Sequence, residues 1–307
     1  MITSLEFPMN FTNPNNIDMK HFPSSELIIN DDGSIFHLHL LPEQLSDKVI
    51  LVGDPGRVEM IASYFENIEC DVANREFRTI TGTYKGKRLT VVGTGIGTDN
   101  IDIVVNELDA LSNIDLINRT EKPEHKQLTL VRIGTSGAVQ PDIRPGTYVL
   151  SEKSIGFDGV LNFYANRNAA CDIEFEKAFT HHVNWHPQWC APYVADSDPE
   201  LVERIGKDDM LRGVTISANG FYGPQGRELR LPLAHPTLND NIETFRYGRF
   251  KVTNYEMESS AIAGLSKLMG HKAVTVCCII ANRRIHDAFP NYKESIQMLV
   301  EKVLDRI

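Results

Sequence analysis

Arg132 lies in the middle of an apolar run, where a charged side chain is unexpected. The residues "LTLV" (128–131) lead into it and Ile133 follows, so the stretch predicts a buried strand. A guanidinium keeps its charge in proteins, and burying it without an anionic partner is costly. The four residues "GTSG" (134–137) that come next offer two hydroxyls and exposed backbone N–H groups. The pattern therefore predicts an anion site beside Arg132.

Two glycine-rich turns add to this site. "GDPGR" (53–57) follows a strand pattern and opens a helix with Arg57 in its first turn, and "GTGIGT" (93–98) also joins a strand to a helix. Glycines let the backbone approach a ligand, and a helix N-terminus attracts an anion. The second turn resembles a dinucleotide fingerprint, but it lacks the third glycine and does not follow the first strand, which disfavours a dinucleotide site. Because ligands bind beyond the carboxyl ends of strands in open α/β sheets, the glycine-rich stretches predict one shared site.

The elements that position these turns alternate between strands and helices, which predicts a single α/β domain. Segments 118–127 and 162–195 are weakly patterned and are expected to be loops or insertions. Residues 1–33 are expected to form an N-terminal arm before the domain at 34–307. Strands are predicted over 48–53, 77–95 (two strands around a Lys-Gly turn), 128–134, 146–155, 213–220 and 272–282, and helices over 55–66, 98–111, 256–270 and 292–307.

The composition argues against several classes of partner. The chain has 307 residues, 42% of them hydrophobic, and its net charge of −10 disfavours a surface for nucleic acid or anionic membranes. No apolar run is long enough to cross a bilayer, and no cation precedes Lys20, so no secretory signal is expected. The five cysteines are odd in number and form no CxxC motif, which is typical of reduced thiols. We therefore expect a cytoplasmic protein that binds small molecules.

Five motifs together resemble those of the nucleoside phosphorylases of the uridine phosphorylase type, from about residue 34 to the C-terminus. The most specific is "FYGPQGR" (221–227), which separates the pyrimidine enzymes from their purine relatives. The resemblance implies a central mixed β-sheet, partly closed like a barrel and flanked by helices. It also implies reversible phosphorolysis of uridine to uracil and ribose 1-phosphate, with phosphate as co-substrate, no cofactor, and active sites at the contacts of a homodimer; assembly into a hexamer stays open. The other motifs are "GDPGR" (53–57), "NREF" (74–77), "VRIGTSGAVQ" (131–140) and "NYEMESS" (254–260).

The resemblance implies a phosphate site made of Gly53, Arg57, Arg132 and Thr135, with Arg75 reaching in from the neighbouring subunit. Phosphate is largely dianionic near neutral pH, and planar guanidinium forks match its oxygens. To act as a nucleophile, it must be held dry and aimed at the sugar. Without the resemblance, Arg57 and Arg75 read as ordinary surface arginines.

Acidic residues near the start of a helix are expected to hold the sugar. Acids favour a helix N-terminus in any protein, but the resemblance implies that Glu258 accepts hydrogen bonds from ribose hydroxyls and that Met257 packs on the sugar. A carboxylate there also stabilises the oxocarbenium-like carbon from which the base departs. His37, expected on one strand face with His39, matches the histidine that reaches a neighbour's 5′-hydroxyl. Ser136 and Glu256 are also predicted to bind the nucleoside.

The base is the leaving group, and uracil departs as an anion with its charge spread toward the carbonyl oxygens. Donors placed there stabilise the transition state more than the ground state. Gln225 can donate and accept, Arg227 would neutralise the charge and Phe221 would stack on the ring. Arg283 is expected to order this loop, and Asn282 stands where purine relatives carry an aspartate, which favours a pyrimidine. The catalytic residues implied are Arg132, Glu258, Arg227 and Gln225.

Three other functions remain open at this stage. A purine nucleoside phosphorylase would share the phosphate-binding arginines. A nucleosidase would use water as the nucleophile and would not need these arginines. A nucleoside-binding protein would bind the nucleoside without converting it.

No metal site is predicted. His182 and His186 have a spacing that can chelate zinc on a helix, but no third ligand accompanies them.

Overall fold

A computed structural model of the protein describes residues 20–289 and 291–307. No helix in these two ranges combines the length and the apolar character needed to cross a membrane. The strands are β1 (Lys48–Val52), β2 (Asn67–Asn74), β3 (Phe77–Tyr84), β4 (Lys87–Gly93), β5 (Ile114–Asp115), β6 (Thr120–Glu121), β7 (Thr129–Ala138), β8 (Tyr148–Gly156), β9 (Tyr193–Asp196), β10 (Leu211–Ser217), β11 (Arg246–Tyr247), β12 (Phe250–Glu256), β13 (Lys272–Asn282) and β14 (Asp287–Ala288). The α-helices are α1 (Pro55–Ala62), α2 (Thr98–Asn113), α3 (Ile173–His182), α4 (Pro199–Gly206), α5 (Leu238–Thr244), α6 (Ser259–Leu268) and α7 (Lys293–Arg306).

Twelve of these strands form one mixed sheet in the order β11-β12-β10-β8-β13-β7-β1-β4-β3-β2, with β9 paired to β8 and β14 to β13. Strands β1 and β7 are parallel, whereas β8 and β13 are antiparallel. The sheet closes on itself because β12 also pairs with β7, through Asn254 opposite Ala138 and Tyr255 opposite Gly137. Strands β7, β13, β8, β10 and β12 thus form a closed barrel. The predicted mixed, partly barrel-like sheet flanked by helices is confirmed.

Side chains of β1 alternate between two hydrophobic cores. Val49 and Leu51 lie in the core that includes α2 and α6, whereas Ile50 and Val52 lie in the core that includes α1, α4 and α7. This alternation is the two-residue period of a strand. A strand buried on both faces has a continuous apolar sequence, which is why β1 could be predicted. Because both faces of β1 are packed, the turn that follows it at 53–57 starts from a fixed position.

The expectation that 162–195 forms loops is wrong in part, because this segment contains α3 and β9. Asp172 caps α3 by accepting a hydrogen bond from the Phe175 backbone N–H at 3.1 Å. Phe175 and Phe179 lie one helical turn apart and are fully buried. A helix of three turns with few buried residues has a weak periodic signal, so the pattern did not reveal it.

Several element boundaries differ from those predicted. Helix α6 begins at Ser259 rather than at 256, and α1 ends at Ala62 rather than at 66. Strands β2 and β12 and helix α4 had no clear sequence signal. Strand β2 lies at the edge of the sheet with mostly exposed side chains, so it lacks the apolar alternation of a half-buried strand.

Residues 35–40 form a turn rather than a strand. Ile35 pairs only in an isolated bridge. His39 has a φ of 55°, and its ring Nε2 lies 3.0 Å from the Asp32 carboxylate. The prediction that His37 and His39 share a strand face is therefore wrong.

The predicted N-terminal arm is described only from residue 20 onward, since residues 1–19 lie outside the described part of the chain. There, the Phe22 backbone N–H donates to the Arg119 carbonyl at 2.8 Å, and Leu27 is buried in the core that includes α2. Residues 20–33 thus contact the domain. The boundary between residues 33 and 34 stays a prediction.

Candidate active site

The turn that follows β1 and the second half of β7 line one cavity of about 470 Å³. Because β1 and β7 are parallel neighbours, with Leu51 paired to Arg132, their carboxyl ends open at the same edge of the sheet. The start of α6 and the loop after β10 supply the other walls. The cavity brings together eleven of the predicted site residues: Gly53, Arg57, Arg132, Thr135, Ser136, Phe221, Gln225, Arg227, Glu256, Met257 and Glu258.

Arg132 is buried at the bottom of this cavity and contacts two carboxylates. Its Nη2 donates to Glu258, and its Nη1 lies 3.2 Å from Glu256 Oε2 and 3.4 Å from Cys277 Sγ. Burial alone would lower the pKa of Arg132, but the two carboxylates outweigh it and raise the pKa above its usual value. Gly134 is required beside it, because a Cβ there would overlap with Arg132 Nη1. The Nε–H of Arg132 is also buried and has no acceptor among the described residues.

Glu258 occupies the N-cap position of α6, and its side chain is 3% exposed. Its Oε1 accepts a hydrogen bond from the backbone N–H of Gly97, in the second glycine-rich turn, at 2.8 Å. Burial raises the pKa of Glu258 to about 7, with Arg132 opposing this shift and Glu256 adding to it. The carboxylate is thus held from two sides, by the turn before α2 and by Arg132.

Glu256 is the last residue of β12 and builds the start of α6. Its Oε1 accepts hydrogen bonds from the Ser217 hydroxyl at 2.6 Å and from the Ser259 hydroxyl at 2.7 Å. Its Oε2 accepts from the backbone N–H groups of Glu258 at 2.9 Å and Ser259 at 3.0 Å, and it also faces Arg132. Because both oxygens already have several donors, this carboxylate positions Glu258 and Arg132.

A second guanidinium lies near Arg132. Arg57 is in the first turn of α1, where Asp54 caps the helix by accepting from the Gly56 N–H at 2.9 Å. The Arg57 Nη1 donates to the Ile133 carbonyl at 3.1 Å. Burial and the nearby charge of Arg132 lower the pKa of Arg57. A buried and a half-buried cation that repel each other favour an anion between them.

The glycine-rich turns approach each other closely beside these arginines. A Cβ on Gly53 would lie 3.2 Å from the Gly95 carbonyl oxygen, so glycine allows the two turns to pack together. Thr135 and Ser136 line the cavity from β7, and the Ser136 hydroxyl accepts a hydrogen bond from Asn254 Nδ2 at 3.0 Å. Both residues thus line the same cavity as the two arginines.

The loop after β10 supplies another wall of the cavity. Arg227 donates from Nη1 to Gln225 Oε1 and to the Phe221 carbonyl, both at 2.5 Å, and its guanidinium lies 3.8 Å from the centroid of the Phe221 ring. Burial and the charge of Arg283 lower the pKa of Arg227 to about 10. Arg283 lies outside the cavity lining and donates to the Gln225 carbonyl at 2.6 Å and the Gly226 carbonyl at 3.2 Å. Arg283 therefore stabilises the loop from the side that does not face the cavity.

Asn282 does not line the cavity, and its amide is occupied by the backbone. Its Nδ2 donates to the carbonyls of Gln140 at 2.9 Å and Ile143 at 2.8 Å, and its Oδ1 accepts from the Arg284 N–H at 3.0 Å. The side chain is fully buried. These bonds tie the end of β13 to the connection between β7 and β8, so Asn282 has a structural role that the sequence did not reveal.

His37 and Arg75 lie together outside the cavity. Asn74 Nδ2 donates to the His37 carbonyl at 2.8 Å, and the Arg75 guanidinium lies 5.3 Å from the centroid of the Phe36 ring. Arg75 is in the turn between β2 and β3, with a φ of 53°. The two residues assigned to a neighbouring subunit's site thus share one surface of the chain.

Within residues 20–289 and 291–307, one trio of side chains comes close enough to hold a metal, namely Asp109, His125 and His271. His271 Nδ1 accepts the backbone N–H of Leu128 at 3.1 Å, so its proton is on Nε2, which faces Asp109 Oδ1 at 3.1 Å. A metal would have to displace that proton, and therefore the trio does not fit a metal. His182, considered for zinc from its spacing, contacts a backbone carbonyl through Nε2 at 3.1 Å.

The cavity also contains residues that the sequence did not single out. Most of them lie inside or beside the motifs already noted, so their closeness to a motif could have identified them as site residues. Cys277, which contacts Arg132 but does not line the cavity, had no such signal, because that contact joins positions that are far apart in the chain. The residues in question are Ile96, Tyr255, Ile280 and Ala281.

Comparisons with known proteins agree with this geometry. The chain is similar to the uridine phosphorylases of Thermococcus kodakarensis (28% identity, over 86% of this chain and 83% of that protein) and Haemophilus influenzae (28%, over 88% and 94%). It is also similar to the DeoD-type purine nucleoside phosphorylase of Bacillus subtilis (27%, over 79% and 85%). Among solved structures, a Trypanosoma brucei nucleoside phosphorylase that shows uridine phosphorylase activity superposes with a TM-score of 0.83 at 27% identity, over 91% of this chain and 98% of that one.

The resemblance found in the sequence motifs is therefore confirmed. The family model of the phosphorylase superfamily matches residues 47–305, which is most of the chain and includes every element that lines the cavity. The chain belongs to the phosphorylase superfamily.

Proposed function

We propose that the protein catalyses the reversible phosphorolysis of a pyrimidine nucleoside, in which uridine and phosphate give uracil and ribose 1-phosphate. The observation that carries this proposal is one cavity that holds two arginines, a buried carboxylate and the Gln225–Arg227 loop. Together they offer cations for phosphate, an acceptor for ribose and donors for a departing base. Similarity to uridine phosphorylases from two organisms supports this reading.

Phosphate is bound by Arg57 and Arg132, with the backbone of Gly53 and the hydroxyl of Thr135 beside them. A dianion between the two guanidiniums offsets the burial and the repulsion by Arg132 that together lower the pKa of Arg57. Holding the anion in place raises its effective concentration at the sugar carbon C1′.

The ribose lies against Glu258, which accepts hydrogen bonds from its hydroxyls, and against Met257, which packs on the ring. As the bond between C1′ and the base breaks, its electron pair leaves with the base and positive charge develops on the sugar. The Glu258 carboxylate attracts that charge. A phosphate oxygen then bonds to C1′, which gives ribose 1-phosphate. Glu258 acts in its ionised form, which Arg132 favours.

The base occupies the side of the cavity formed by the loop after β10. Gln225 donates to and accepts from the pyrimidine edge, and Phe221 packs against the ring. The negative charge that develops on uracil lies opposite Arg227, which stays cationic at neutral pH even with its pKa lowered to about 10. The attraction grows as the charge develops, so it lowers the barrier.

Three alternative functions differ from this proposal, either in the base that is released, in the nucleophile, or in the lack of any catalysis. A purine nucleoside phosphorylase is the nearest, because DeoD-type relatives align over most of the chain. The "FYGPQGR" loop, which lines the cavity, favours a pyrimidine. A nucleosidase would not need two converging arginines. A non-catalytic nucleoside-binding protein would not need a cation opposite the leaving group.

We also propose a homodimer as the functional unit. Arg75 and His37 do not line their own chain's cavity, which supports the proposal that they serve a neighbouring subunit's phosphate and 5′-hydroxyl. The chemistry uses phosphate as a co-substrate and needs no further cofactor. Assembly of dimers into a hexamer stays open, and the cytoplasmic location stays a prediction from the cysteine pattern.

The proposal is tested with a panel of nucleosides at saturating phosphate. The purified protein is incubated with uridine, deoxyuridine, thymidine or inosine, and the free base is quantified over time. We expect the pyrimidine nucleosides to be cleaved faster than inosine. A preference for inosine would support the purine alternative, and binding without any base release would support the non-catalytic one.

A further inference from the structure

The carboxylate of Glu107 accepts three hydrogen bonds from one short segment, residues 37–38. Glu107 lies on α2, and its side chain is 12% exposed. It accepts hydrogen bonds from the backbone N–H groups of His37 at 2.9 Å and Leu38 at 2.8 Å. It also accepts from the His37 ring, whose Nδ1 lies 2.6 Å from Oε1. One side chain thus holds both the backbone and the ring of His37.

These contacts determine which ring nitrogen of His37 can face a ligand. An ionised carboxylate only accepts hydrogen bonds, so Nδ1 carries a proton and Nε2 is left for another partner. The ring also packs edge-on against Phe77, with centroids 6.4 Å apart. Asn74 fixes the His37 carbonyl. Both the direction and the tautomer of the ring are therefore set before any ligand arrives.

The position of Glu107 explains why this histidine does not serve its own cavity. Helix α2 begins at Thr98, beside the glycine-rich turn that contacts Glu258. At about 1.5 Å of rise per residue, Glu107 lies roughly 14 Å along the axis from that start. The His37 side chain is 29% exposed there and lines a different surface recess. A ligand for Nε2 must therefore come from outside this chain's cavity.

We propose that Glu107 is a positioning residue for phosphorolysis: it holds His37 with the proton on Nδ1, so that Nε2 accepts a hydrogen bond from the 5′-hydroxyl of a nucleoside bound in the neighbouring subunit. The proposal rests on the proposed function and on the shared site described there. It adds a residue that does not touch the substrate and acts only through His37.

The test compares Glu107→Gln with the wild type on two substrates, uridine and 5′-deoxyuridine. The glutamine keeps the shape and an oxygen acceptor for the two backbone N–H groups, but its NH₂ group can donate to Nδ1 and so allows the other tautomer. Nitrogen-15 NMR of labelled histidine, recorded at a pH where the ring is neutral, reports the tautomer directly. The His37 signal is identified by its loss in His37→Ala.

We expect the His37 signal of the wild type to show a proton on Nδ1, and that of Glu107→Gln to show a mixture of tautomers. The kcat/KM for uridine should fall about fivefold to tenfold in the variant, the equivalent of roughly one net hydrogen bond. The kcat/KM for 5′-deoxyuridine should stay unchanged, because that substrate has no 5′-hydroxyl to bind. Glu124→Gln, an exposed glutamate outside this contact, is the matched control and should change neither value.

Three results would overturn the proposal. An equal loss on both substrates would show a merely structural role, no loss on uridine would show that His37 does not need Glu107, and a proton on Nε2 in the wild type would contradict the geometry. If the wild type cleaves neither nucleoside, the proposed function fails instead. The tautomer measurement still decides in that case whether Glu107 holds His37.

Discussion

At the scale of single residues, the guanidinium of Arg132 has two functions, which are to pair with buried carboxylates and to bind phosphate. It pairs with the carboxylates of Glu256 and Glu258 in the wall of the cavity, and it is proposed to bind phosphate. Removing it would leave two buried carboxylates facing each other, which typically costs about 3–5 kcal/mol. An alanine variant would therefore lose stability and function together. A substitution that keeps the charge separates the two functions.

Arg132→Lys is the first such test. Lysine keeps a positive charge near the carboxylates, but it is a single point donor rather than a planar fork. We expect the kcat/KM for phosphate to fall by about 10²-fold, the size seen when one aligned donor is lost, while the protein remains folded. Steady-state kinetics with varied phosphate and a thermal melt measure the two effects. Arg249→Lys, an exposed arginine, is the control, and an unchanged phosphate dependence would show that Arg132 serves only the carboxylates.

Arg227→Ala tests the base side of the cavity separately. Phosphate and ribose contacts are common to all nucleosides, so only groups near the base can act on the leaving group. We expect turnover of uridine to fall by about 10² to 10³-fold, with little change in the KM for phosphate. The exposed Arg230→Ala, three residues away, is the matched control. Uridine turnover that survives in Arg227→Ala would mean that this loop does not bind the base.

At the scale of elements, the junction of β12 and α6 shows what the sequence pattern could and could not predict. Acidic residues favour helix N-termini, so the pattern predicted a helix from residue 256. The structure instead ends a strand at Glu256 and uses its carboxylate to accept from the Ser259 N–H. The same residue types are common just before a helix and in its first turn, so only the backbone conformation shows where the helix begins.

Helix α3 was not predicted for another reason, since its buried face consists of little more than two phenylalanines.

Asn282 links two elements, and Asn282→Asp tests that link. In the variant, a buried carboxylate would face the carbonyls of Gln140 and Ile143 without donating to either. We expect the free energy of unfolding to fall by about 1–3 kcal/mol, the usual cost of leaving buried groups without partners. Chemical denaturation measures this change. A variant that is as stable as the wild type and gains activity on inosine would show that the side chain faces the base instead.

At the scale of the whole molecule, the cavity of one chain is lined by only part of the predicted site residues, since His37, Arg75 and Arg283 do not line it. The α/β class could be predicted because buried strands and amphipathic helices alternate locally along the chain. The closure of the barrel through β12 and β7 could not, since it depends on pairing between segments far apart in sequence. The same holds for the pairing of Arg132 with Glu258. The absence of Arg75 and His37 from the lining of the cavity, by contrast, agrees with what the motif resemblance implied.

Shared sites predict that two inactive variants can restore each other. In a mixture of Arg75→Ala and Glu258→Gln proteins, a mixed dimer has one site with both defects and one site with neither. With equal amounts and free exchange, about a quarter of all sites should be intact, since half of the dimers are mixed and each has one intact site. Activity is measured before and after exchange, which mass spectrometry verifies. Verified exchange without recovery would place both residues in the same chain's site.

The most direct test of the central claim is the dependence of uridine cleavage on phosphate, with the sugar product identified. Uracil release is followed with and without inorganic phosphate, and ribose and ribose 1-phosphate are quantified in the same samples. The account expects uracil only when phosphate is present, with one ribose 1-phosphate formed for each uracil. Rapid uracil release in phosphate-free buffer, with free ribose as the product, would contradict it and identify water as the nucleophile.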